Sequence, residues 1–312
     1  MSAAASTRAL STLAFATLIF VAFLMGANHV AARLAFDHGA DVATAVATRS
    51  LVTAIITGTL VVAGGVSFGV NARQRRALLL IGSLVGIQSM WIYASVARLP
   101  VALALLAFNT YPLTTALWVR ALYRQQLERR LLVTMGVLLI GLALALDVFG
   151  ATSGLGAAEQ WRQMGVGVGF ALAASLTFGL ALALTQYEAG SVDGRLRSFV
   201  IMAMVGLWAL GGVAWQGGFH WPTAAAGWWG LALLSLFYGT GITILLTLLP
   251  RWGVVGNTAI MNVEPVFALV LAWVILNQRI APIQIVGALI VVGAVIALGM
   301  RSRRPAAVRQ AD

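Results

Sequence analysis

Phe108-Asn109-Thr110-Tyr111-Pro112 is answered 153 residues later by Met261-Asn262-Val263-Glu264-Pro265, so an Asn three residues before a Pro occurs twice at one offset. The same shift superposes Gly26 on Gly179, Gly58 on Gly211, Gly64 and Gly65 on Gly217 and Gly218, and Gly86 on Gly239. Any one glycine match says little in a chain with 33 glycines. Two Asn/Pro pairs at the same offset are a far stronger coincidence and point to a duplicated unit. Both pairs lie in apolar surroundings, where a proline removes a backbone donor and opens carbonyls within a helix. The sequence thus reads as two copies of a helical unit, each carrying a polar kink, at Pro112 and at Pro265.

The surrounding composition says which solvent these helices meet. Of the 312 residues, 61% are hydrophobic and 9% charged, against about 25% charged in a soluble domain, which leaves too few polar groups to coat a water-facing surface. A helix needs about 20 apolar residues to cross about 30 Å of hydrocarbon. Such stretches lie near 10–32, 42–63, 77–97, 101–119, 131–149, 164–187, 198–215, 226–249, 254–276 and 281–300. The expected fold is therefore all-α and integral to the membrane, with ten transmembrane helices around a central cavity. The first span lacks a small-residue cleavage site and is expected to be retained.

All twenty basic residues are arginine, and their placement predicts orientation, because cytoplasmic loops keep positive charge. With the N-terminus inside, 15 arginines fall on the cytoplasmic side, from Arg8, Arg73, Arg75 and Arg76 through Arg195 and Arg197 to the tail. Only Arg33, Arg98, Arg162 and Arg279 fall outside, and Arg49 lies within the second span. The expected units are a first repeat over 10–149, a loop over 150–163, a second repeat over 164–300 and a basic cytoplasmic tail over 301–312. Each repeat holds five helices, an odd number, so the second copy enters from the opposite side and the repeats are inverted. Inverted repeats with a site between them at mid-depth are the architecture of alternating-access carriers.

Polar groups retained at mid-span face the bundle interior or a wet path. Glu264 is the one carboxylate expected near the middle of a span and is the first candidate for a substrate amine or a proton. Asn109 and Asn262, before their prolines, offer amides beside exposed carbonyls, or else satisfy the broken backbone; Tyr111 accompanies them. Gln88 and Trp91 share a face of the third span, and with the mid-span Tyr238 complete the expected substrate-binding set. Asn28, His29 and Arg49 cluster toward the outer ends of their spans as gate or proton candidates, with Arg49 alternatively snorkelling or capping. Tyr93 and the residues Trp221, Trp228 and Trp229 are expected as interfacial anchors.

Other classes are disfavoured. The net charge of +11 is dispersed between apolar stretches and forms no dense basic face for nucleic acid. Without cysteine there is no thiolate metal site or disulfide, no metal ligand set or catalytic triad assembles from the remaining residues, and no cofactor is implied. No phosphate-cradling P-loop is present, so energy is expected from a substrate or ion gradient and not from ATP. The chain is not expected to be an enzyme, an intramembrane lipid enzyme being the remote alternative. Its expected partners are a small-molecule substrate and the lipid bilayer, with a monomer as the unit.

The stretch Glu264-Pro265-Val266-Phe267-Ala268-Leu269, followed by Trp273 and the turn Asn277-Gln278-Arg279, resembles the drug/metabolite transporter superfamily of the EamA type. The counterpart from Pro100 through Asn109, Tyr111 and Pro112 to Gln125 resembles it too, as do the glycine-bearing helices at Gly136, Gly141, Gly287 and Gly293. The likeness covers nearly the whole chain and departs at Gln125 and Gln278, where the family commonly has glutamate. It implies a basket in which helices 1–4 and 6–9 surround a cavity while 5 and 10 pack outside. Overall the chain most resembles bacterial amino-acid exporters of the YddG type in the inner membrane. The alternative within the superfamily is an exporter of drugs or lipophilic cations, for which Trp91, Tyr93, Tyr238 and Phe178 would form aromatic walls.

Overall fold

The computed structural model describes residues 12–125, 129–146, 157–252, 263–278 and 281–301. Among these residues there is no strand, and the helices are α1 (Thr12–Asp37), α2 (Val42–Ala63), α3 (Ala72–Val96), α4 (Val101–Phe108), α5 (Tyr111–Tyr123), α6 (Arg129–Ala145), α7 (Ala157–Glu188), α8 (Gly194–Trp215), α9 (Ala225–Trp252), α10 (Glu264–Leu276) and α11 (Pro282–Arg301). Seven spans are long and apolar enough to cross a bilayer, one of them Val101–Tyr123, which joins α4 and α5. Glu264–Leu276 and Pro282–Ala294 are shorter apolar helices. The outward faces are apolar as well: Ile55, Val62, Trp229 and Trp273 are between 64% and 71% exposed. Apolar surface on that scale requires lipid against it, and the protein is a multi-pass membrane protein.

Local chemistry sets the helix ends. The carboxylate of Asp41 accepts from the Thr44 amide at 2.7 Å and starts α2, Asn71 and Gln74 form a reciprocal capping box on α3, and Asp193 accepts from the Arg195 amide at the start of α8. Each satisfies an amide that the first helical turn leaves free. The Asp193 carboxyl is held below the usual carboxylate range by its hydrogen bond from the Arg195 side chain. Within α2, the hydroxyls of Thr53 and Thr57 donate to carbonyls one turn back, both at 2.8 Å, so these buried polar groups are satisfied inside their own helix.

The fourth span is interrupted where the sequence places its proline. α4 ends at Phe108, Asn109 and Thr110 form a turn, and Pro112 occupies the first turn of α5, where its missing N–H costs nothing. α10 repeats this start, with Val263 as its N-cap and Pro265 in its first turn. α5 and α10 are each 13 residues long, and their first residues, last residues and caps all stand 153 apart. Arg124 and Asn277 close them at φ 55 and 52, the positive-φ residues other than glycine among those described. The starts of α3 and α9, and of α6 and α11, keep the same offset.

Packing follows the same correspondence. α2 lies against α8 and α6 against α11, each a helix against its own counterpart. Three further sets of contacts come in twos: α1 with α9 and α3 with α7, α2 with α9 and α3 with α8, α1 with α10 and α5 with α7; α4 packs on α7 and α10, and the residues 153 positions after α4 lie outside those described. Small residues let these backbones approach, as membrane helices without a hydrophobic driving force require. A Cβ on Gly230 of α9 would stand 2.7 Å from the Ala31 carbonyl and the Ala35 amide of α1.

Polar tethers gather the connections into two rims. In one, Asp41 lies 2.7 Å from His220 and 2.5 Å from Gln216, the Thr223 amide donates to the His38 carbonyl, and Arg33 pairs with Asp37 and reaches the Val96 and Leu99 carbonyls. In the other, Arg73 pairs with Glu188 at 2.7 Å, Gln74 donates to Ser191, and Tyr123 stacks on Tyr187 at 3.9 Å.

Candidate functional site

Glu264 is the first residue of α10, and its Oε1 stands 3.5 Å from His29 Nε2 on α1. Gly26 makes this pair possible. A Cβ there would lie 2.9 Å from the Glu264 carbonyl and 3.1 Å from the Ala268 amide, so only glycine lets α1 ride this close to α10, and His29 is carried in one turn later. The two side chains are 12% and 25% exposed. His29 Nδ1 is buried and has no hydrogen-bond partner among the described residues.

Beside this pair lies a second polar group. Tyr93 of α3 donates its hydroxyl to Asn28 Oδ1 at 2.6 Å, and the Asn28 amide in turn donates to the Met25 carbonyl. The Tyr93 ring also meets His29 at 5.2 Å. Arg49 of α2 is 2% exposed. Its guanidinium lies 3.8 Å from the ring centroid of Tyr238 on α9 and 5.0 Å from that of Tyr93, and one nitrogen donates to Ser89 Oγ at 3.2 Å. Cation–π contact of this kind is attractive because the ring face carries the negative end of its quadrupole. Tyr93 interacts electrostatically with Arg49, Tyr238 and Glu264 alike and so links them.

The structure therefore brings together Asn28, His29, Arg49, Tyr238 and Glu264 from four separate helices. Two expectations are corrected. Arg49 neither snorkels nor caps, because it is enclosed by aromatic rings. Tyr93 is not an interfacial anchor, because it is 1% exposed and bonded to Asn28. Ser89 is the member of the cluster absent from the expected site, and Tyr93 entered only as an anchor or as a wall of the drug-exporter alternative; the signal available for both was their spacing on α3, one helical turn apart.

Tyr111 borders the cluster through its electrostatic interaction with Glu264 and belongs to an aromatic group with Phe108 and Phe178, whose ring centroids lie 5.2 to 5.5 Å apart. The side chain of Asn109 turns onto its own helix and donates to the Leu105 carbonyl at 2.9 Å, satisfying backbone at the break before Pro112. Gln88 is buried on α3 at 8% exposure. Trp91 stands elsewhere, on an apolar groove of about 700 Å³ between α3 and α8, which it lines with Met90, Trp208 and Trp215 and with no member of the Glu264 cluster. Asn262, Arg279, Arg8 and the tail beyond residue 301 lie outside the described residues. Among the described residues, no group of three or more His, Asp or Glu is placed to hold a metal.

Gln278 has a role that the departure from glutamate concealed. Its Oε1 accepts from the Val101 amide at 3.1 Å, and so caps α4, whose own N-cap Pro100 offers no side-chain acceptor. A neutral amide performs this without an ion pair.

Residues 165–300, under half of the chain, match the EamA-like transporter family. The EamA-like stretch runs from within α7 to within α11 and contains Glu264 and Tyr238. Sixteen chains of solved structures match the fold. One crystal structure aligns over 95% of this chain and 100% of its own length, with a TM-score of 0.57 and 17% identity, a likeness of fold alone. No curated protein matches the sequence.

Proposed function

We propose that the chain is a secondary carrier of the drug/metabolite transporter type that exports neutral amino acids or related small metabolites across a bacterial inner membrane. Ten membrane helices form two five-helix repeats of opposite orientation, with both termini cytoplasmic. The site beside Glu264 opens alternately to the two faces.

The observation that carries this reading is the buried cluster. Glu264, His29 and Arg49 lie on helices from both halves of the chain, and ionisable groups in hydrocarbon are expensive unless they serve a substrate or ion path. The EamA-like match over 165–300 supports the transporter class. The 153-residue offset shared by α5 with α10 and by the starts of α3 with α9 and α6 with α11, together with the pairing of contacts in twos, supports duplication, and an odd helix number per copy then dictates inversion. The two rims, tethered by pairs such as Asp41 with His220 and Arg73 with Glu188, are the gates in this reading.

Glu264, a quarter exposed, is the expected partner of the substrate ammonium. Vesicles carrying the purified protein and loaded with labelled neutral amino acids test this. The reading predicts efflux of some of them, strongly reduced in Glu264→Gln although that variant remains folded; unchanged efflux removes Glu264 from the site. The apolar groove beside Trp91 favours a second reading, export of lipophilic cations. Thermal shifts separate the two, because a ligand stabilises only the state that binds it.

A further inference from the structure

Arg49 is the single charged side chain among the fully buried described residues. Other arginines of this chain meet a carboxylate: Arg33 pairs with Asp37, Arg73 with Glu188, Arg162 with Glu159 and Arg195 with Asp193. Arg49, the most deeply buried, forms no such pair among the described residues, and its Nε has no hydrogen-bond partner among them. A guanidinium keeps its proton in a protein, so it has no means of relieving burial by becoming neutral. What it has instead are the faces of Tyr238 and Tyr93, the Ser89 hydroxyl at 3.2 Å and the nearby Tyr93 hydroxyl. Ring faces stabilise a cation without neutralising it and without occupying its N–H donors. The planar fork that matches a carboxylate is thus left largely unused, in a site that also holds the carboxylate of Glu264.

We infer that Arg49 binds the carboxylate of the transported molecule, and that the substrate is a zwitterion held with its carboxylate on Arg49 and its ammonium on Glu264. This rests on the carrier reading above and adds to it the partner of the substrate's carboxylate and, with it, the orientation of the substrate. One cation facing one anion balances a zwitterion, whereas a dianionic phosphate would leave excess negative charge beside Glu264. The tyrosine rings hold the guanidinium between loads and give way to a carboxylate, which is the stronger partner. The aromatic group of Phe108, Tyr111 and Phe178, within reach of Glu264, provides an apolar wall for the remainder of the molecule.

The test uses the full chain in vesicles, with a panel of neutral amino acids each beside its own amide, such as leucine and leucinamide, read by counterflow and by thermal shift. The inference predicts that removing the substrate carboxylate weakens binding on the order of 100-fold. Arg49→Gln lowers the acid to the level of its amide, and Arg49→Lys recovers only part of the difference, because it restores the charge but not the fork. Should Arg49→Gln fail to fold, the comparison of acid with amide on the unaltered protein decides alone. Exchange of amides or simple amines as readily as of acids overturns the inference while the carrier reading stands. Failure of every compound to exchange overturns both.

Discussion

Gly26→Ala puts the link between packing and site to a quantitative test. The added methyl group would stand 2.9 Å from the Glu264 carbonyl, 0.5 Å short of the 3.4 Å at which ordinary contact begins, with the Ala268 amide at 3.1 Å as a second obstacle. Both obstacles are backbone, so no rotamer change relieves them. α1 must therefore move off α10 by about 0.5 Å, which carries His29 away from Glu264 and widens their 3.5 Å separation. Overpacking on this scale costs about 1–3 kcal/mol, or a fall in Tm of roughly 5 °C for a chain of this size. Gly169→Ala is the control, since nothing lies within 4 Å of the site a methyl would occupy; in a helix interior that change is neutral or stabilising by up to about 1 kcal/mol. Thermal unfolding in detergent and efflux from vesicles report the two effects. Gly26→Ala is expected to lower both Tm and efflux, and Gly169→Ala neither. Equal Tm values for the two variants would refute the close approach of α1 to α10.

Tyr93→Phe removes the 2.6 Å hydrogen bond to Asn28 and strands a buried acceptor, for an expected loss of about 1–3 kcal/mol in thermal unfolding; a loss near zero would mean that the hydroxyl is not bonded there. Gln278→Ala uncaps α4 at Val101 and is expected to cost about 1 kcal/mol. Gln278→Glu, which retains the acceptor, should restore most of it, and equal destabilisation by both would contradict capping.

Much of the fold was legible because its signals are chemical and local. Charge content alone selects lipid as the solvent, and a proline's missing N–H marks the break between α4 and α5 wherever the helix faces. The offset that relates Asn109 to Asn262 also relates the ends of α5 to those of α10. What the sequence concealed was the direction of side chains. These helices are apolar around their whole circumference, so no hydrophobic stripe shows which face points inward. Arg49 near a helix end therefore suggested a snorkelling side chain, although the structure encloses it between two tyrosines. Tyr93 suggested an interface for the same reason. Asn109 was ambiguous between a ligand and a local cap, and its side chain turns to its own helix at Leu105. Gln278 was visible only as the loss of a charge, because its partner, the Val101 amide, is 177 residues away in sequence.

The absence of cysteine from the sequence makes the opposed orientation of the two halves directly measurable. Ser67 and His220 stand 153 residues apart, and both are exposed in connections between helices. Ser67→Cys and His220→Cys, each introduced alone, are to be labelled in sealed, oriented membranes with a thiol reagent that does not cross the bilayer. Inverted halves predict that Ser67→Cys reacts only from the cytoplasmic side and His220→Cys only from the opposite side. Labelling of both from the same side would contradict the inverted arrangement on which the carrier rests.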